Sequence, residues 1–253
     1  MANKAAMTAR SILWRFGIES EGDINVEDIA YGTGLRIDER AIVGAEGRLV
    51  RRANSGIAVI NSAIRQEGKK RWVIAHELGH FLMHTEDHFA RCDQTSFVKW
   101  HRHRPEEGEA NDFAAELLMP STLFRDVGRN GPTTLEWICE LSKCYRVSRM
   151  AAAIRFVELD VAPSAVVYSE DGMIKWHCSS ESFPYQYVKR GNAVHPHTGA
   201  GEYFSSGQTS GDPECTPCTA WFSDWSLEGN ATCLEQCLTM DQYCGVLSLL
   251  SMP

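Results

Sequence analysis

What the chain lacks narrows its class first. No stretch of apolar residues reaches the roughly 20 needed to span a bilayer as a helix, so no membrane partner is expected. The opening MANKAAMTARSILWRF has neither a signal-peptide apolar core nor a clean cleavage site, and the chain reads as cytoplasmic. An excess of basic charge is missing too: 25 Lys and Arg stand against 33 Asp and Glu, a formal net charge of −8. That balance gives no broad attraction to nucleic acid or anionic lipid. No repeat or low-complexity tract is visible. Cysteine is plentiful, but nine is an odd count and argues against a fully paired disulfide framework. The 253 residues are enough for one large domain or two small ones with a real core.

The stretch with most chemical content is Arg71-Trp72-Val73-Ile74-Ala75-His76-Glu77-Leu78-Gly79-His80-Phe81. It contains His-Glu-x-x-His, a zinc metallopeptidase signature. Four residues make about one helical turn, so His76 and His80 project from one face and can share a Zn²⁺. Glu77, one step round, can reach a metal-bound water as general base without being a ligand. The flanking residues favour a helix from Gln66 or Lys69 to His84, with no proline inside. Gly79 costs about 1 kcal/mol against Ala in a helix interior, and invites close packing of another backbone. His84 and His88 continue the four-residue spacing, but one zinc uses two such positions, so neither is expected as a ligand.

A zinc peptidase needs a third protein ligand and an open position. The metzincin pattern fails, because Met83 and Glu86 stand where Gly and His are required. A gluzincin-like pattern needs a glutamate on a following helix, and residues 106–119 offer one. At roughly 100° per residue, Ala110, Phe113, Ala114, Leu117 and Leu118 define its apolar face. Glu106 and Glu107 lie at the borders of that face, whereas Glu109 and Glu116 point towards water. Glu107 has Asn111 one turn on, able to hydrogen-bond a neighbouring ligand. Glu107 is the favoured ligand, with Glu106 and Glu109 in reserve.

HELGHFLMH paired with EGEANDFAAELLMP resembles the ImmA/IrrE family of metallo-endopeptidases over roughly residues 20–160. The resemblance implies a compact zincin-like fold with His76, His80 and Glu107 as zinc ligands and Glu77 as the general base. It also implies a cytoplasmic regulatory protease of stress-response or mobile-element loci. Its protein substrate would be a helix-turn-helix (XRE-like) transcriptional repressor, cleaved to derepress the repressor's genes.

The rest of the chain frames this site. Helices are expected over residues 3–16, capped by Asn3, and 26–31, capped by Asn25. Leu35–Ile37, Leu49–Arg51 and Ile57–Asn61 read as a small antiparallel sheet, with Ala53 and Asn54 in a turn. The basic run Lys99–Arg104 falls in a segment without clear period. Thr133 with Glu136, then Ser148, open two helices resembling a helix-turn-helix, with Ala151, Ala152 and Ala153 a poor surface for reading bases. Ala165–Tyr168 and Met173–Trp176 flank Asp171-Gly172 as a hairpin. Residues 190–215 read as loops, and 243–250 as a buried strand. Cys215, Cys218, Cys233 and Cys237 approximate the two halves of a structural zinc site.

The expected architecture is α+β. A zincin-like core (1–132), made of the small sheet and the His-Glu-x-x-His helix, precedes a helical pair (133–162) and a small Cys-rich mixed β domain (163–253). The expected function is zinc-dependent regulatory endopeptidase. The rival is a DNA-binding or partner-binding regulator with a structural metal site, although direct nucleic-acid binding is not favoured.

Overall fold

A computed structural model describes residues 3–52, 55–84, 91–92, 105–188, 190–224, 226–240 and 244–253. The expected turn at Ala53 and Asn54, His88, the Lys99–Arg104 run and the first residue of the last expected strand, Tyr243, lie outside the described residues. The fold class is α+β, and the chain divides into two units: Met1–Leu123 with Lys143–Ser148, and Phe124–Ser142 with Arg149–Pro253. No described helix is long and apolar enough to cross a membrane.

In the first unit, α1 (Lys4–Arg15) starts where the Asn3 side chain accepts the Ala5 N–H, and it buries Ala5, Ala9, Ile12 and Leu13. Helix α2 (Val26–Gly32) begins in the same way, with Asn25 accepting from Asp28 N–H. Strands β1 (Leu35–Arg40), β2 (Gly47–Arg52), β3 (Ser55–Asn61) and β4 (Arg91–Cys92) form one sheet in the order β1-β3-β2-β4. The expected antiparallel pair is β2 with β3. Strand β1 pairs with the far side of β3 in parallel, so the sheet is mixed.

Helix α3 (Glu67–Met83) follows, and Arg71 through Phe81 are all buried. A helix buried on every side must be covered on every side. Here β1, β2 and β3 of the sheet, α1, α2 and the helix α4 (Pro105–Leu118) pack against it. The contact with α4 is close because of Gly79. A Cβ there would stand 3.2 Å from Ala110 Cα and 3.1 Å from the Phe113 ring. The glycine that costs helix propensity is what lets the two backbones approach.

Glu116 corrects the expectation from helical phase. It is 3 % exposed rather than facing water. Its Oε1 accepts Arg10 Nε–H (2.8 Å) and both the Ser121 hydroxyl (2.9 Å) and backbone N–H (3.3 Å). Glu116 thus opens α5 (Ser121–Gly128), a helix with no clear signal in the sequence.

In the second unit, α7 (Arg149–Glu158), which follows α6 (Leu135–Cys144), packs on β5 (Ser164–Glu170) and β6 (Met173–Ser179). Asp171 (φ 52°) and Gly172 (φ 71°) make the hairpin turn between these strands, as expected. The antiparallel sheet is completed by β7 (Glu214–Pro217), β8 (Thr232–Met240) and β9 (Gly245–Ser251), in the order β6-β5-β9-β8-β7. The expected loop at 190–215 instead contains α8 (Gly199–Ser206) and the start of β7. The reason is tertiary. Buried Glu235 on β8 accepts the N–H groups of Gly199 (3.0 Å) and Ala200 (3.2 Å), holding a glycine-rich segment helical from across the fold.

Replacing Gly79 by Leu should cost about 1–3 kcal/mol or more by forcing α3 and α4 apart. Urea unfolding of G79L checks this, and an unchanged midpoint would show that the helices do not depend on the close approach.

Candidate metal centre

The sequence of α3 sets His76 and His80 one turn apart on the side facing α4. Their Nε2 atoms lie 3.0 Å from each other, with ring centroids 4.7 Å apart and planes at 77°. Glu107, in the first turn of α4, offers one oxygen to each ring. Oε2 is 3.3 Å from His76 Nε2, and Oε1 is 3.4 Å from His80 Nε2. Among the described residues, these three are the group of ligand-type side chains close enough to hold one ion. Glu106 is exposed and takes no part.

The donor set fits a divalent transition metal. Bonds of about 2.0–2.1 Å in tetrahedral geometry place neighbouring ligand atoms about 3.3 Å apart. The three observed separations bracket that value. The second ring nitrogens are held from outside. His76 Nδ1 lies 2.9 Å from Asn111 Oδ1 and donates to it, which leaves the Nε2 lone pair for the site. Asn111 is thus the outer partner expected from the sequence, acting on His76. His80 Nδ1 lies 2.9 Å from His84 Nδ1, and His84 Nε2 lies 3.0 Å from Glu109 Oε2. Sequence reasoning missed this last chain. Its signal was the continued four-residue spacing to His84, which points to contact between the rings and not to ligation.

Glu77 is fully buried and sits beneath Gly47, the first residue of β2. A Cβ at Gly47 would overlap Glu77 Oε1 and stand 2.7 Å from Val73 Cγ1. Glycine there makes room for the carboxylate. No local pattern announces it, because the partner is brought by the fold.

The charges of the site are coupled. Burial would raise the Glu107 pKa, but hydrogen bonds to His76 and His80 and their charges hold the carboxyl well below the usual range. Burial also opposes charge on His76, yet the hydrogen bond to Glu107 and the charges of Glu77 and Glu107 outweigh it, and its pKa is raised. At His80 burial wins, reinforced by the charge of His76, and its pKa is lowered.

The possible second zinc site at Cys215, Cys218, Cys233 and Cys237 is not assembled among the described residues. Thr216 pairs with Cys233 across β7 and β8, and neighbouring strand residues face opposite ways, so Cys215 is left exposed. Cys237 lies four residues along β8 from Cys233, about 13 Å at about 3.3 Å per residue. Its Sγ contacts Glu235 and Ser248 instead. Burial pushes the thiols of Cys218, Cys233 and Cys237 up, whereas ligation needs thiolates.

The pH dependence of the metal-free centre has a definite sign. His76, with its raised pKa, contributes stability that is full below its ordinary 6.5 and lost as pH rises through the raised value. Glu107, with its lowered pKa, contributes stability present above 4.5 and lost on acidification. In chelator-stripped protein, His76→Gln should therefore lower the Tm more at about pH 5.5 than at about pH 8.5. Equal losses at both would show that the pair carries no charge interaction.

Comparison with known proteins supports the assignment. The model of a peptidase M78 family, described as the IrrE N-terminal-like domain, matches residues 33–157. No curated protein matches the sequence. Among solved structures, a Mycobacterium tuberculosis transcriptional regulator resembles it with a TM-score of 0.59 and 14% identity, covering 98% of this chain and 76% of that one. At that identity the likeness is one of fold. The matched span holds both the histidine helix and the glutamate helix, and residues 33–157 are thereby an IrrE N-terminal-like domain of the peptidase M78 family.

Proposed function

We propose that the chain is a zinc-dependent endopeptidase that cleaves a regulatory protein, with a helix-turn-helix transcriptional repressor as substrate. The observation that carries this reading is the convergence of His76 Nε2, His80 Nε2 and a Glu107 oxygen pair on one point, with Glu77 buried alongside. Two histidines and one carboxylate leave a coordination position open, which is the pattern of catalytic sites; structural sites are closed by four protein ligands. When bound, zinc polarises a carbonyl and makes water a nucleophile at neutral pH. The chain's own residues supply the rest. His76 and His80 direct bare nitrogens at the ion, and Glu107 offsets its charge. Glu77 takes the proton from water at a carboxylate oxygen and returns it to the leaving amine. Family membership and the likeness in fold to a transcriptional regulator support a regulatory substrate.

The partner-binding alternative keeps the same metal residues but does not cut. The DNA-binding alternative is weakened by α7, the helix that would enter a groove. Met150 through Val157 are buried, Arg155 included, leaving no face for a duplex.

Glu77→Gln should retain one zinc per chain while repressor cleavage falls by at least about 10²-fold. Zinc content and a cleavage assay measure both, and undiminished cleavage would remove Glu77 from the mechanism. Gly47→Ala should behave like E77Q because the added methyl displaces the carboxylate.

A further inference from the structure

Resting on the metal-site reading above, we infer that His84 and Glu109 form a relay that sets the tautomer and orientation of the ligand His80. A carboxylate only accepts, so at 3.0 Å from Glu109 Oε2 the proton of a neutral His84 belongs on Nε2. His84 Nδ1 is then bare and acts as an acceptor. The nitrogen 2.9 Å from it, His80 Nδ1, must therefore carry the proton and donate. That leaves His80 Nε2 bare, on the side where His76 and Glu107 converge. Each step follows from the one before, and the sequence of steps starts at Glu109.

The geometry supports a positioning role. His84 is the C-cap of α3, where the helix has ended and the backbone is extended, and its ring still turns back over the last turn. The His80 and His84 rings lie 5.0 Å apart at 55°. The His84 side chain is 15% exposed and Glu109 39%, so the relay leads from the buried metal residues towards the surface. Asn111 does for His76, in one step and with an amide oxygen, what His84 and Glu109 do for His80 in two. Neither His84 nor Glu109 touches the position of the ion.

The test is zinc affinity, measured by competition with a chromophoric chelator on the full chain. Glu109→Leu, which removes the acceptor, should weaken zinc binding about tenfold, in the range found for outer partners of metal ligands. His84→Leu should weaken it at least as much. His84→Asn should recover most of the loss, because its Oδ1 stands where Nδ1 stood and accepts the same proton. In the His84→Asn background, Glu109→Leu should have no further effect, a non-additivity that general destabilisation would not produce. Melting of the zinc-free variants identifies any that fail to fold, and the E109L comparison stands without H84L.

Wild-type affinity in E109L, or an equal penalty in both backgrounds, would overturn the relay while zinc binding lost in His80→Ala keeps the metal site. Failure of the wild-type chain to bind zinc, or binding by H80A as tight as wild type, would overturn the metal-site reading and the relay with it.

Discussion

The candidate metal centre depends on how closely two helices can approach, and Gly79 sets that distance. With no Cβ between α3 and the backbone of Ala110, the first turn of α4 comes within reach of the histidines. Glu107 and Asn111, one turn apart on α4, then grip His76 from both ends of its ring: the carboxylate at Nε2 and the amide at Nδ1. A side chain at Gly79 would move both contacts at once. The same economy holds on the sheet side, where Gly47 leaves space for Glu77.

Two carboxylates, the buried Glu235 and the half-buried Glu107, show how the fold separates structure from chemistry. Glu235 in the second unit is surrounded by donors: the N–H groups of Gly199 and Ala200, the hydroxyls of Thr216 and Ser248, and the indole of Trp221. Its charge is satisfied and it binds segments together. Glu107 faces two imidazole nitrogens whose opposite ends are already engaged. A proton or a cation must lie between them, because two bare nitrogens and a carboxylate would otherwise repel one another. Saturation makes the first carboxylate a staple, and incomplete saturation leaves the second able to serve as the proposed ligand.

The second unit shows how local pattern can mislead. CxxC and CxxxC spacings suggest a metal site, but strand geometry turns Cys215 outward and separates Cys233 from Cys237 along β8. The second helix of the helix-turn-helix-like pair, a poor base-reading surface already in the sequence, is buried in its own unit, against β5 and β6. Both patterns describe residue spacing, and spacing fixes relative direction only inside one regular element.

That principle divides what could be read from the chain from what could not. Within single elements the reading held apart from the phase of Glu116 on α4, which put towards water a side chain that is buried. The caps at Asn3 and Asn25, the helix bearing His76 and His80, the Asp171-Gly172 hairpin and the place of Glu107 on its helix all follow from local geometry. Each depends on periodicity or turn chemistry over a few neighbouring residues. Between elements the reading ran out. The burial of Glu116, the helix held by Glu235, the fit of Gly47 over Glu77 and the His80–His84–Glu109 contacts join residues that only packing brings together. A chain of side chains states which ligands are available. Which nitrogen is bare, which carboxylate is open and which glycine must stay small are decided by the neighbours that folding supplies.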